Sequence, residues 1–77
     1  SNRKMFAAIY RREGSIWMNL KAEPLRGDFL KSVFPAVVPA YHMNKTHWIS
    51  VILDGSVPDA DILRMIEESH RLTDKNA

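Results

Sequence analysis

A chain of 77 residues with 45% hydrophobic and 26% charged side chains is one folded domain, close to the smallest size that holds an unaided core. It has no cysteine, which excludes a disulfide framework, a thiolate metal site and a cysteine nucleophile. The formal net charge of +2 is too small to imply nucleic acid by itself, and apolar runs of about five residues fall far short of the roughly 20 that span a bilayer.

Ser1-Asn2 reads as the remnant of tag cleavage, and "SNRKMF" holds no apolar stretch of signal-peptide type, so a cytoplasmic location is expected. "KMFAAIYRREGSIWMNLKAEP" reads as a β-hairpin. Met5–Arg11 is apolar and aromatic, and Ile16–Ala22 alternates, with Ile16, Met18, Leu20 and Ala22 on one face and Trp17, Asn19 and Lys21 on the other. The even-numbered set is expected to face the core, leaving Trp17 as a sheet-surface aromatic or as cover for a second layer. Gly14, in the link Arg12–Ser15, supplies the positive φ of a short hairpin loop.

"EPLRGDFLKSVFP" reads as a short helix, with Pro24 suited to its first turn and Pro35 ending it. Leu25, Phe29, Leu30 and Val33 form its expected apolar stripe, and Gly27 weakens it by about 1 kcal/mol relative to alanine. Pro35 and Pro39 then frame a stiff extended corner. His47–Leu53 reads as a third strand, nearly continuously apolar as where both faces are covered, with Trp48 expected in the core. Ser56 to Asp59 resembles a helix-start box, and Ile62, Met65, Ile66, Ser69 and Leu72 form the stripe of a C-terminal helix. Residues 73–77 are expected to fray. The order is β-β-α-β-α in a single domain: an α+β fold with a small antiparallel sheet and helices packed on one face.

Charge is divided along the chain. Residues 1–53 hold eight basic against three acidic side chains, and residues 54–77 hold three against six. The first part could favour an anionic partner; solvated faces with chance clustering explain the same division.

"PAYHMNKTHW" concentrates the unusual side chains. His42 and His47 are five apart, without cysteine or a paired carboxylate, so no metal or other cofactor is expected. Thr46 and Ser50 are the nearby hydroxyls, neither in a nucleophile arrangement, and there is no glycine-rich phosphate cradle, so an enzyme is not expected. Asn44 suits bidentate contact with adenine, Lys45 suits phosphate, and Arg11 and Arg12 sit at a hairpin tip where a wing would carry phosphate contacts. Architecture competes with this reading: His42 could fix the proline corner and Trp48 could open a buried strand.

The run "PAYHMNKTHWISVILDGSVPD" followed by "ILRMIEESHRL" resembles the signature of the MmcQ/YjbR-like family, small bacterial proteins commonly described as DNA-binding. The likeness rests on Pro39, His42, Asn44, Lys45, His47, Trp48, the Asp54-Gly55-Ser56 turn, Pro58-Asp59 and Ser69, and extends to "KMFAAIY" and "NLKAEP". It implies a CyaY-like (frataxin-like) sandwich and a double-wing mode of DNA binding. Members of that family begin with a further helix and strand before the position of Lys4, absent here; the resemblance then implies the C-terminal portion of a longer protein or a truncated member. Strand Met5–Arg11 would be left with an open edge, favouring a homodimer through the sheet edge or a helix.

The leading expectation is a non-enzymatic DNA-binding or regulatory accessory domain. Arg11, Arg12, Lys21, Asn44 and Lys45 would touch double-stranded DNA, with His42 and His47 shaping the wing. The alternative is a protein-interaction or dimerisation module with no nucleic-acid role, docking through its sheet edge or the Trp17 surface. A third idea, iron or other metal binding, is prompted by the frataxin-like fold alone. No membrane role is expected.

Overall fold

The computed structural model describes residues 5–74. Six elements follow one another: β1 (Ala7–Arg12), β2 (Ser15–Lys21), α1 (Pro24–Val33), β3 (Val37–Pro39), β4 (Trp48–Ile52) and α2 (Asp59–Asp74). The strands form one sheet in the order β1-β2-β4-β3, with every neighbouring pair antiparallel. The expected α+β architecture is therefore present, with one strand added. β3 is only three residues long and closes on Pro39, which reads in sequence as part of a proline corner. None of the helices among the described residues is long and apolar enough to cross a membrane.

The hairpin follows from its turn. Glu13 and Gly14, with φ of 53° and 80°, join Arg12 to its partner Ser15, and two successive positive φ angles match the right-handed twist of the strands. Alternation then works as expected on β2. Met18 and Leu20 join Ile49 and Val51 of β4, Leu30 of α1 and Met65 of α2 in a single core on one face of the sheet. Both helices lie on that face. Complete burial of side chains such as Leu20 and Val51 contributes about 1.5–3 kcal/mol each.

Helix α1 is rolled relative to its expected stripe. Leu25, Phe29 and Val33 are 84%, 53% and 47% exposed, while Gly27 and Leu30 face inward. The cause is close approach: a Cβ on Gly27 would stand 3.3 Å from Ile49 Cγ2 and 3.7 Å from Ala22 Cβ. The helix seats on its glycine, and the longer apolar side chains turn outward.

Helix α2 keeps its stripe, with Met65 and Ser69 buried. Its start differs from the expected box. The Ser56 hydroxyl and N–H both donate to Asp54 Oδ1, at 2.6 and 2.9 Å, so Ser56 belongs to the turn after β4. The Pro58 carbonyl accepts from Asp61 and Ile62 instead, opening the first helical turn. The end differs as well. Helix continues to Asp74, and Thr73 is buried, donating its hydroxyl to the Ser69 carbonyl at 3.1 Å. The expectations for Ser1-Asn2 and for residues 75–77 lie outside the described residues.

Ser69 fastens α2 to the sheet. Its fully buried hydroxyl accepts from the Lys21 N–H at 2.9 Å and donates to the Phe6 carbonyl. At the sheet edge, Ile9 pairs with the core residue Met18, so it points to the helical side, yet it is 67% exposed. The helical layer ends before it.

Candidate functional site

The face of the sheet away from the helices is where the unusual residues meet. Strand alternation and register place Tyr10 and Arg12 of β1, Trp17, Asn19 and Lys21 of β2, and Trp48, Ser50 and Ile52 of β4 on that face. None of these is acidic, whereas α2, behind the sheet, carries Asp59, Asp61, Glu67, Glu68 and Asp74.

A polar layer lies buried at the centre of this face. Asn19 Oδ1 accepts from the Tyr10 hydroxyl at 2.8 Å and from the Ser50 hydroxyl at 2.5 Å. Asn19 Nδ2 donates to the Tyr41 carbonyl at 3.0 Å, and Ser50 Oγ accepts from the Tyr41 N–H at 2.9 Å. Both backbone groups of Tyr41 are thus held by the sheet, and the loop after β3 is drawn across it. This explains why β4 is buried on both faces at Ile49, Ser50 and Val51.

The loop carries an aromatic platform. The Tyr41 ring stacks with Tyr10 at 6.0 Å between centroids and meets His42 at 4.0 Å. His42 has φ 60°, a left-handed conformation that turns the chain sharply at this point. Between loop and hairpin, the Arg12 guanidinium lies 4.1 Å from the Tyr41 ring centroid and 4.6 Å from that of Trp17. Cation–π contact with two rings fixes Arg12 in place, with its side chain 30% exposed. Trp17 is buried beneath it, and its Nε1 is a buried donor with no partner among the described residues.

These groups line an open cleft of about 710 Å³ together with Val38, Pro39, Ala40, Met43, Asn44 and Lys45. Four of the seven residues expected to form a site, Arg12, His42, Asn44 and Lys45, are brought together here. Asn44 Oδ1 is engaged within its own turn, accepting from the N–H groups of Thr46 and His47 at 2.8 and 3.3 Å. Only its amide donor is left for a ligand, and bidentate adenine contact would require that turn to open. His47 also acts through its backbone, its carbonyl accepting from the Ala22 N–H at 2.9 Å, while its side chain is exposed. Lys21 sits on the same face beside Trp48, its Nζ 6.0 Å from the ring, and Trp48 is half-buried there rather than in the core. Arg11 pairs with Ile16 and points to the helical side, away from the cleft.

Sequence reasoning did not find Tyr10, Asn19, Ser50 and Tyr41. The available signal was the shared face of Trp17 and Asn19, together with a lone serine inside "WISVIL". Among the described residues, no three His, Cys, Asp or Glu side chains come together to hold a metal.

The sequence matches the YjbR family over residues 1–72, which includes every residue of this cleft. The chain belongs to the YjbR family. It is 34% identical to an uncharacterised Escherichia coli K12 protein, YjbR, over 67 residues, 87% of this chain and 57% of that one. It is 41% identical to the uncharacterised Bacillus subtilis protein YyaQ over 56 residues, 73% of this chain and 47% of that one. The chain thus spans about half the length of the relatives it matches. The crystal structure of the Deinococcus radiodurans protein DR2400, of family-model domain DUF419, superposes with a TM-score of 0.82 at 34% identity, over 90% of this chain and 51% of that one. A Pseudomonas syringae protein follows at a TM-score of 0.73 and 35% identity, over 88% and 57%. The sheet and helices described above are those of YjbR-type domains.

Proposed function

We propose that this YjbR-family chain is a DNA-binding or regulatory accessory domain that makes phosphate contacts through the open face of its sheet and performs no chemistry of its own. The observation that carries this reading is the placement of Arg12, held between Trp17 and Tyr41, in one cleft with Lys45 and on one sheet face with Lys21. Basic side chains interleaved with aromatic rings suit a polyanion that also offers flat, stackable surfaces. The hydroxyls of Ser50 and Tyr10 are engaged in the buried layer, which supports a non-catalytic role. The test is fluorescence anisotropy with labelled duplex DNA at low and moderate salt. Binding that weakens with salt, and weakens further in Lys45→Ala and Arg12→Ala, is expected. No binding to any duplex at low salt overturns the reading.

A second reading is favoured by a separate observation. Ile9 on the edge strand β1 and Leu25, Phe29 and Val33 along α1 are exposed apolar side chains. Among the described residues β1 is a proline-free edge strand, and such an edge beside an apolar residue suits antiparallel pairing with a second copy of the chain. Sedimentation that shows a dimer, dissociated by Ile9→Lys, supports this interaction module; a strict monomer removes it.

A further inference from the structure

We propose that the cleft between the β1–β2 hairpin and the loop after β3 is a binding site for one unpaired nucleotide, its base laid against Tyr41 and His42 and its phosphate drawn by Arg12 and Lys45. The inference rests on the nucleic-acid reading above and narrows it to a ligand class.

Four features point to that ligand. The first is a platform already in place. His42 is exposed, its ring is backed by that of Tyr41 at 4.0 Å, and Tyr41 is held in turn by the Arg12 guanidinium, 4.1 Å from its ring centroid, and through both backbone polar groups by Asn19 and Ser50. A base that stacks there meets a surface with little left to order. The second is Arg12. Lying over two rings, it uses the faces of its guanidinium, its side chain stays 30% exposed, and its ion-pair partner among the described residues is the exposed Glu13 carboxylate at 3.5 Å. In-plane donors are what a phosphate requires.

The third feature is Trp17, 7% exposed, a residue of the cleft wall whose buried indole N–H lacks any partner among the described residues. A buried donor without an acceptor is unfavourable by about 1–3 kcal/mol, and an acceptor on a base or sugar would satisfy it. The fourth is size. The cleft, about 710 Å³, has room for a nucleotide, and its open side lets a strand enter and leave.

The same features disfavour a paired base. In a duplex both faces of each base are covered by its neighbours, so the His42–Tyr41 platform can reach a base face only where pairing and stacking are interrupted. An unpaired nucleotide can come from a single strand or from the free nucleotide pool, and the chemistry of recognition is shared.

The test uses three probes with the protein and its Tyr41→Leu and Trp17→Phe variants, each checked for folding by thermal melting. The probes are a labelled mixed-sequence DNA strand, the same strand annealed to its complement, and adenosine monophosphate. The expected result is preference for the single strand over the duplex and about tenfold weaker single-strand binding in Tyr41→Leu. Tryptophan quenching by adenosine monophosphate should disappear in Trp17→Phe. Equal binding of strand and duplex, both unaffected by Tyr41→Leu, overturns the nucleotide site and leaves the DNA-binding reading standing. Binding of adenosine monophosphate alone, lost in Tyr41→Leu, supports the site and overturns the DNA-binding reading. Binding of none of the three overturns both.

Discussion

Asn19 and Ser50 face each other across the β2–β4 pair, and the Ser50 hydroxyl donates to the Asn19 side-chain carbonyl in the interior of the protein. Two small polar residues in the middle of apolar strands would be a defect if they were unpaired. Here each also grips the backbone of Tyr41, at 3.0 Å from Asn19 and 2.9 Å from Ser50. The pair converts a sheet face into the seat of a loop.

Replacing Ser50 with alanine should therefore act at two levels. It leaves the Tyr41 N–H without its acceptor and removes one of the two hydrogen bonds to Asn19 Oδ1. Loss of about 1–3 kcal/mol is expected in urea denaturation, the range for a buried group left unsatisfied. Binding of DNA should also weaken, although Ser50 is fully buried and touches no ligand. A variant with normal affinity would show that the loop keeps its place without this anchor.

Gly27 tests how α1 is seated. Alanine would gain about 1 kcal/mol of helix propensity but bring its Cβ within 3.3 Å of Ile49 Cγ2, a side chain that is itself buried in the core. The two effects oppose one another, so Gly27→Ala should lie within about 1 kcal/mol of the parent. Valine has no such balance. Gly27→Val should lower stability by about 1–3 kcal/mol, the cost of overpacking, measured as a shift in the denaturation midpoint at constant slope.

How much of this was legible in the sequence depended on the period of each signal. Strict alternation in Ile16–Ala22 and the helical stripe from Ile62 to Leu72 each recur over several residues, and the hairpin and α2 follow them. β3 has three residues and a proline, too few for a period to show. The α1 stripe was legible but misleading, because the contact of Gly27 with Ile49 depends on the tertiary fold and outweighs the local pattern. The site divides in the same way. Alternation alone sends the adjacent Arg11 and Arg12 to opposite faces and sets Trp17 beside Asn19 on the face away from the core. That Ser50, 31 positions later, lies against Asn19 and that Tyr41 closes over both required the fold.

Salt dependence distinguishes phosphate contacts from stacking. Arg12 and Lys45 line the cleft and should each neutralise a phosphate, so alanine at either position should lower the slope of log affinity against log salt by about one. Arg11→Ala, on the helical side of β1, should leave that slope nearly unchanged. Equal effects of Arg11 and Arg12 would place the nucleic acid around the hairpin tip instead of on the open face.

The turn after β4 should carry a measurable pH dependence. Asp54 has its carboxyl held below the usual aspartate range, first by the Ser56 hydroxyl and then by the Ser56 N–H, both donating to it. A depressed folded-state value means that the unfolded chain binds the proton more tightly. The contribution of Asp54 to stability is therefore fully present above the unfolded aspartate value and is lost as pH falls through the folded one. Asparagine at this position keeps an acceptor oxygen for the turn but cannot ionise. Urea midpoints of the parent and of Asp54→Asn, compared over a pH series, should differ most near neutrality and converge in acid. A gap that stays constant across the series would show that the charge of Asp54 adds nothing to the turn beyond what an amide oxygen supplies.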